Sequence, residues 1–561
     1  MPTFQQSPGV YVTELDLTTI VPGTGTTVGA FAGNFAWGPV EEVMVIDTEL
    51  TLASRVGNPD SNTFVDFFTA ANFLAYATNL NLVRAANTLC VNATSNNVGV
   101  LIKNTELYYE NFSGGANTYG QWMARYPGSL GNSIKVSTFA ASNANAFATW
   151  TYSSSFAGTT GTSKAATAVN AVSDEIHVIV IDSLGKFTGV ANTVLEKYAF
   201  LSKAPDLMQD DGTSMYYRDI INQKSKYIYW GSHPTLGTNW GIPSAGTTYV
   251  DLNGTDYPLS AGVYSPPTDG ERITSFNKFQ NVDSIDISLL LTGNSSPTVT
   301  TSLISNIAEV RKDCVVFISP KRTDVVNQSG SEAANAVITR NLLTSSSYAF
   351  MDSGWKYQFD KYNNVYRYVP LNGDMAGLAV QTDTTNDPWF SIAGFNRGHV
   401  KNVIKLAWNP TKTDRDILYN NGINPVVTFP GEGPVLYGDK TLLAKPSAFD
   451  RINVRRLFIV LEKSIAKASK YSLFEFNDEF TRARFVNMVE PFLRDVQGRR
   501  GITAFKVVCD GSNNTGDVID RNEFRADIYI QPARSINYIT LSFIATPTGV
   551  AFTSIIGTGT F

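Results

Sequence analysis

The three histidines, His177, His233 and His399, lie far apart, and none has the spacing of a metal-ligand pair. His177 falls inside an apolar strand pattern and reads as a structural side chain. Asp374 and Asp383 flank a stretch that reads as a strand. Two carboxylates so placed could divide acid and base duties, but loop solvation or capping accounts for them better. Asp283 and Asp286 are too few to make a calcium loop. No Gly-x-Ser-x-Gly elbow and no Walker-type loop occurs. Gly23-Thr24-Gly25 and Gly431-Glu432-Gly433 do not continue as phosphate motifs. Trp122, Trp150, Trp230 and Trp240 could stack sugars or bases, though packing is the simpler role. These residues predict no enzyme, no metal site and no cofactor.

What remains is charge. Between Arg451 and Lys506 there are 12 lysines and arginines against 6 carboxylates, in a chain whose net charge is -5. A basic segment on an acidic chain suggests an acidic partner; the alternative is that amphipathic helices simply carry solvated basic faces. The candidate groups are Lys463, Lys467, Arg482, Arg484 and Arg494.

Two helices must position them. In the first, Val454, Leu457, Phe458, Leu461, Ile465 and Ala468 recur at spacings of three and four, one apolar stripe. Asn453 is its expected N-cap. Lys463, Lys467 and Lys470 crowd its C-terminal end, where the helix dipole favours cations. A strand is predicted over Tyr471–Phe476. Asn477 then caps a second helix with Asp478 and Glu479 in its first turn. Phe485, Val489, Phe492 and Val496 give that helix an apolar side, and Pro491 is expected to bend or shorten it.

Upstream, Val10 and Val12 alternate with Tyr11 and Thr13, a strand pattern isolated by Pro8-Gly9 and Pro22-Gly23. A lone short strand needs a sheet edge to satisfy its backbone, in its own chain or in another. Strands are expected at Val28–Phe35, Val43–Ile46 and Leu80–Arg84, around a buried helix from Phe64 to Tyr76. From Cys90 to Gly270 the texture turns to Ser, Thr, Asn, Gly and Ala. Strands read there at Glu175–Ile181 and Tyr227–Trp230, and a helix at Val194–Phe200. The low-complexity run from Ala140 to Ala171 reads as a mobile part.

The α/β texture returns near Phe276. A strand at Ile285–Leu291, a helix at Leu303–Lys312 and a strand at Asp313–Ser319 make one βαβ unit. A helix at Ala333–Leu343 and strands at Tyr348–Met351 and Lys356–Phe359 follow. After a break at Gly431–Pro434 come the two helices, a strand at Phe505–Cys509 and one at Phe524–Ile530. A last strand over Ile536–Ile544 puts Ile539, Leu541 and Phe543 on one face and Tyr538 and Thr540 on the other. The apolar, Gly-punctuated tail beyond it reads as a second arm.

At 561 residues, two to four domains are expected. Hydrophobic content of 43% and aromatic content of 12% are those of a folded protein. Charged content of 17% is low, and such a surface is poorly protected against association. The charge balance gives no global field toward nucleic acid or membrane. Three scattered cysteines, Cys90, Cys314 and Cys509, read as buried thiols in a reducing compartment. No apolar run approaches a membrane span, and no signal peptide is read.

Several stretches resemble contractile tail sheath proteins, which form the outer sleeve of myophage tails and of related injection machines. These are Asn453-Val454-Arg455-Arg456-Leu457-Phe458-Ile459-Val460-Leu461-Glu462-Lys463-Ser464-Ile465, Phe476-Asn477-Asp478-Glu479, Ser7-Pro8-Gly9-Val10-Tyr11, Arg367-Tyr368-Val369-Pro370, Asn420 to Pro425, Val518 to Phe524 and Gln531 to Tyr538. The resemblance implies an α+β multidomain fold. Residues 22–90 and 272–430 make a discontinuous α/β core domain. Residues 91–271 make an inserted, outward-facing β-rich domain, slimmer than in the largest myophage sheaths. Residues 431–545 make an α+β, tube-facing C-terminal domain, and residues 1–21 and 546–561 are arms.

It further implies a helical homo-oligomer of hexameric rings around a tail tube protein, ending on baseplate and terminator proteins. Nucleic-acid contact and membrane insertion are not expected. The exchanged strands are placed at Val10, Tyr11, Val12 and Thr13, and at Ile539, Leu541, Phe543 and Ile544. The tube-facing cations are Arg482, Arg484, Arg494, Lys463 and Lys467. Assembly is expected in the host cytoplasm and residence in the virion tail. The alternatives are the sheath of a phage-derived bacteriocin or contractile secretion system and, from another class, a glycan-binding tail fibre.

Overall fold

The computed structural model describes residues 27–235 and 237–537. Its largest sheet has seven strands, in the spatial order 423–424, 349–352, 315–318, 289–291, 29–34, 80–85 and 43–46. All neighbours run parallel except 43–46 against 80–85. Two stretches far apart in sequence thus share one sheet. The central strands Leu289–Leu291 and Val315–Ile318 are wholly apolar and wholly buried, as parallel strands covered on both faces must be. The parallel pairing of the βαβ unit follows the sequence pattern. Its helix, however, begins at Pro297, capped by Ser296, passes through a π-type turn at Leu303–Ala308, and stops at left-handed Lys312.

Helices α1 (Phe64–Leu74) and α2 (Asn372–Thr385) pack together on this sheet. Gly373 makes the approach possible, since a Cβ there would sit 2.3 Å from the Thr69 carbonyl oxygen. Asp374 and Asp383 therefore lie on one helix and do not flank a strand. Helix α2 is buried almost all round, so no polar face reveals its period. The two carboxylates do not pair: Asp374 takes Lys356 Nζ at 2.8 Å, and Asp383 takes Arg456.

Residues between the two halves of the large sheet form a four-stranded antiparallel sheet, in the order 193–202, 175–182, 134–140, 252–258. Thr193–Ser202 is an edge strand, where a helix was expected. Two register shifts against Glu175–Asp182 break its alternation, and its sequence loses the period-two signal. The 140–171 run holds short helices packed onto the sheet through Trp150. The Trp150 indole stacks on Phe139 and donates to Ser137 Oγ at 2.9 Å. His177 accepts from Phe200 N through Nδ1, so Nε2 donates to Gly158 O; burial lowers its pKa and keeps it neutral. Trp122, Trp150, Trp230 and Trp240 are all core residues, which removes them as an exposed stacking platform. Buried Arg84 ties this region to the large sheet by donating to the carbonyls of Phe35, Gly38 and Pro127.

Asp352, at the end of a central strand, is fully buried, and burial pushes its carboxyl up to about 8 despite donors from Ser319 Oγ and Gly354 N. The folded state therefore holds a proton that the unfolded state releases near pH 4. Stability falls as pH rises from about 4 through about 8. Asp352→Asn is expected to flatten that fall and to gain a few kcal/mol over the parent at pH 8. Urea midpoints of both proteins across pH measure the difference; parallel curves would remove Asp352 as its source.

The C-terminal part has two helices, α3 (Ile452–Ser469) and α4 (Glu479–Gly498), and a hairpin of Ile502–Val508 with Asp527–Pro532. Leu457, Leu461, Phe485, Val489, Leu493 and Val496 form their common core with Trp389. Helix α3 starts two residues early: Arg451 is the N-cap, and Asn453 donates instead to Trp389 O. Asp478, not Asn477, caps α4, accepting from Thr481 N at 2.8 Å. Asn477 bridges to Asn514 and Glu523 O. Helix α4 runs on through Pro491 to Gly498, because its apolar face continues past the proline through Leu493 and Val496. No strand forms at Tyr471–Phe476. A 3-10 turn at Lys470–Ser472 leads into a loop with Phe474 at φ 69°, a left-handed backbone that breaks an extended run.

Candidate assembly surfaces

Much of the basic segment faces inward. On α3, Arg456 pairs with Asp383, and Arg455 donates to Ser347 Oγ at 2.8 Å while lying 3.9 Å over the Phe449 ring. Lys463 Nζ donates to Asp286 Oδ1 and Ile287 O, both at 2.6 Å. Arg499 beyond α4 pairs with Asp387. Lys463 is thus a clasp between α3 and the large-sheet body, which corrects its expected place among outward cations. The sequence had no means to foresee this, because Lys463 and Asp286 are 177 positions apart.

The outward cations are fewer. Arg484 and Lys467 are exposed. Arg494 is exposed and shares an i,i+4 contact with Glu490 at 3.6 Å, weak at a solvated surface. Arg482 is half-buried and donates to Asn477 Oδ1 at 3.1 Å. Sequence reading missed the apolar side chains beside them. Tyr471, Leu473, Phe474, Phe476 and Phe480 all point into solvent, Phe474 completely at 105%. Exposed apolar side chains grouped in this way are a feature of surfaces that take partners. Its sequence signal was present as alternating aromatics but was assigned to a strand.

The hairpin 502–508/527–532 has no third strand among the described residues. Among the described residues its outer edges are thus free to take a further strand. Both ends of the described chain reach the same seam. Thr27 Oγ1 donates to Asp383 Oδ2 at 2.5 Å, at a cleft of about 560 Å³ lined by Trp389 and Phe492. Residues 533–537 line a larger cleft of about 1350 Å³ on the other side of Trp389, with Phe390, Phe395 and Tyr437. There Ser535 Oγ and Asn537 Nδ2 donate to the Asp439 carboxylate at 2.9 and 3.1 Å. The expected arm residues Val10, Tyr11, Val12, Thr13, Ile539, Leu541, Phe543 and Ile544 lie outside the described residues.

Among the described residues no cluster of His, Cys, Asp and Glu is placed to hold a metal ion. No helix there is long and apolar enough to cross a membrane. Cys90, Cys314 and Cys509 are buried and unbonded. The arrangement offers surfaces for association.

Residues 270–442 match the profile of the phage tail sheath protein central domain, and residues 444–546 that of the phage tail sheath C-terminal domain. The chain is 32% identical to the tail sheath protein of Vibrio phage KVP40, over 98% of this chain and 99% of that one. It is equally identical, over the same shares, to the tail sheath protein of Enterobacteria phage T4. Among solved structures it resembles the PVC sheath complex of an extracellular contractile injection system in its contracted state. The TM-score is 0.52 at 14% identity, covering 97% of this chain and 99% of that one. A sheath tail protein of Listeria innocua gives 0.54 at 11%, covering 91% and 96%. At those identities the structural likeness speaks for the fold, while the full-length sequence matches carry the lineage. The chain belongs to the phage tail sheath protein family, a family of structural proteins and not of enzymes.

Proposed function

We propose that this chain is the subunit of a virion's contractile tail sheath. It polymerises as stacked hexameric rings around the tail tube and contracts to drive the tube through the host envelope. The observation that supports this reading is a hairpin with no third strand among the described residues, in a molecule where both ends of the described chain reach the clefts at Trp389. Residues 1–21 and the segment after Asn537 each supply a strand to hairpins of neighbouring copies, a β-augmentation. The sleeve is thereby meshed, and its subunits can slide and rotate without separating. Contraction releases energy held in the assembled, extended state and draws on no nucleotide.

Residues 22–90 with 272–430 act as the core domain, 431–545 face the tube, and 91–271 face outward. The run from Val98 to Trp122 holds one helix, Thr105–Asn111, and a 3-10 turn, which favours a slim exterior. Assembly takes place in the host cytoplasm, with baseplate and terminator proteins at the sleeve's ends. The contractile-injection-system likeness supports a second reading, the sheath of a phage-derived machine without a capsid; capsid genes beside this one decide for a virion.

Arg484, Arg482, Arg494 and Lys467, with the apolar loop at Phe474, form the tube-facing surface. Reversing charge with Arg482→Glu and Arg484→Glu is expected to cut decoration of purified tubes several-fold at low salt. The deficit should narrow as salt screens the contact. Equal decoration by mutant and parent, counted in negative-stain images, would take these residues out of the interface. Sleeves that never form around tubes with the parent protein would overturn the function itself.

A further inference from the structure

Asp439 is buried, with 3% of its surface exposed, and gathers donors from four segments of the chain. Ser391 Oγ lies at 3.1 Å, Tyr419 OH at 3.4 Å and Arg451 Nε at 3.4 Å. Ser535 Oγ and Asn537 Nδ2 complete the shell, and Asn537 Nδ2 also donates to Tyr419 OH at 3.0 Å. The hairpin's second strand ends at Pro532, and Ala533 N still bonds Gly501 O. From there the chain leaves its own hairpin and crosses to the body of the large sheet.

Residues 533–537 have the length of a β-hairpin loop, which runs two to five residues. The residues after them alternate as a strand should: Ile539, Leu541 and Phe543 against Tyr538 and Thr540. Left to local preference, this segment would turn back and add itself to the edge of Asp527–Pro532. Between Tyr538 and Phe561 there is no charged residue, so nothing in the segment guards it against strand pairing.

We propose that Asp439 is the positioning residue of a strap, residues 533–537, that denies the C-terminal segment the return loop to its own hairpin. The segment is thereby held for a second copy of the chain. The strap consumes the five residues a cis hairpin would need and fixes them on the far wall of the cleft. This rests on the reading of the C-terminal segment as an exchanged arm.

The test uses the full chain carrying Tyr529→Cys and Leu541→Cys, residues that a return loop at 533–537 would set directly across from each other. With the strap intact, mild oxidation is expected to give no intrachain disulfide. Adding Ser535→Ala and Asn537→Ala, which leaves Asp439 and the body untouched, is expected to let it form in most molecules. Tryptic cleavage at Arg534 should rise about tenfold with no change in Tm, and Ser535→Thr should restore much of the protection. Equal intrachain yields with and without the strap contacts, whether high or absent, overturn the proposal. So does unchanged cleavage at Arg534. Truncation after Asn537 tests the arm separately: normal sleeves from it would sink the exchange reading and leave the cross-linking result standing.

Discussion

Deleting residues 1–20 is expected to leave a folded, soluble subunit that no longer forms long sleeves. The seven-stranded sheet, its covering helices and the C-terminal core are built from residues after Val28 as described, so far-UV circular dichroism and Tm are expected to match the parent. What changes is the fate of the hairpin edges. On the proposed exchange, each strand lent to a neighbour would satisfy a row of backbone groups, and each hydrogen bond contributes about 1 kcal/mol net. Losing several at every subunit contact shifts a cooperative polymer far toward free subunits. Size exclusion with negative-stain microscopy measures the outcome, and parental sleeve lengths from the truncated chain would contradict an arm at Val10–Thr13.

Lys356→Ala is expected to destabilise the subunit by about 3–5 kcal/mol, because it strands a buried carboxylate. Lys356 and Asp374 are both fully buried, joined at 2.8 Å. Lys356 Nζ also donates to Lys401 O, and Tyr76 OH reaches Asp374 at 3.3 Å while accepting from Lys401 N. One cluster thus pins the chain just after α1, the strand Trp355–Asp360, which pairs antiparallel with Val365–Pro370 and Lys405–Leu406, and the first turn of α2. Burial lowers the lysine's pKa and raises the aspartate's, and their mutual attraction opposes both shifts. Removing one partner leaves the other charged in a dry core or forces it to neutralise. The double variant Lys356→Met with Asp374→Leu removes both charges together and is expected to recover most of the loss. Urea unfolding of the three proteins decides it; a single variant within ~0.5 kcal/mol of the parent would mean that water reaches the site.

The sequence alone settled what is local. Apolar runs such as Val315–Ile318 have to be strands buried on both faces, and the stripe through Leu457, Leu461 and Ala468 has to be a helix with one buried side. It was the resemblance of the motifs from Ser7 to Tyr538, not those patterns, that pointed to a sheath. Where burial is complete or bulges intervene, the period disappears, which is why α2 read as a strand and Thr193–Ser202 as a helix. The loop at Phe474 misled for the opposite reason, since strand-like residues with a left-handed backbone at Phe474 form no strand. Only the tertiary structure decided which charges face solvent. Lys463 with Asp286, Arg456 with Asp383, and Asp439 with Asn537 meet across scores of residues, and a charge's availability depends on partners that no local window contains. Packing brought both ends of the described chain to Trp389 and gave the hairpin no third strand among the described residues, and the proposed joining of subunits rests on those surfaces.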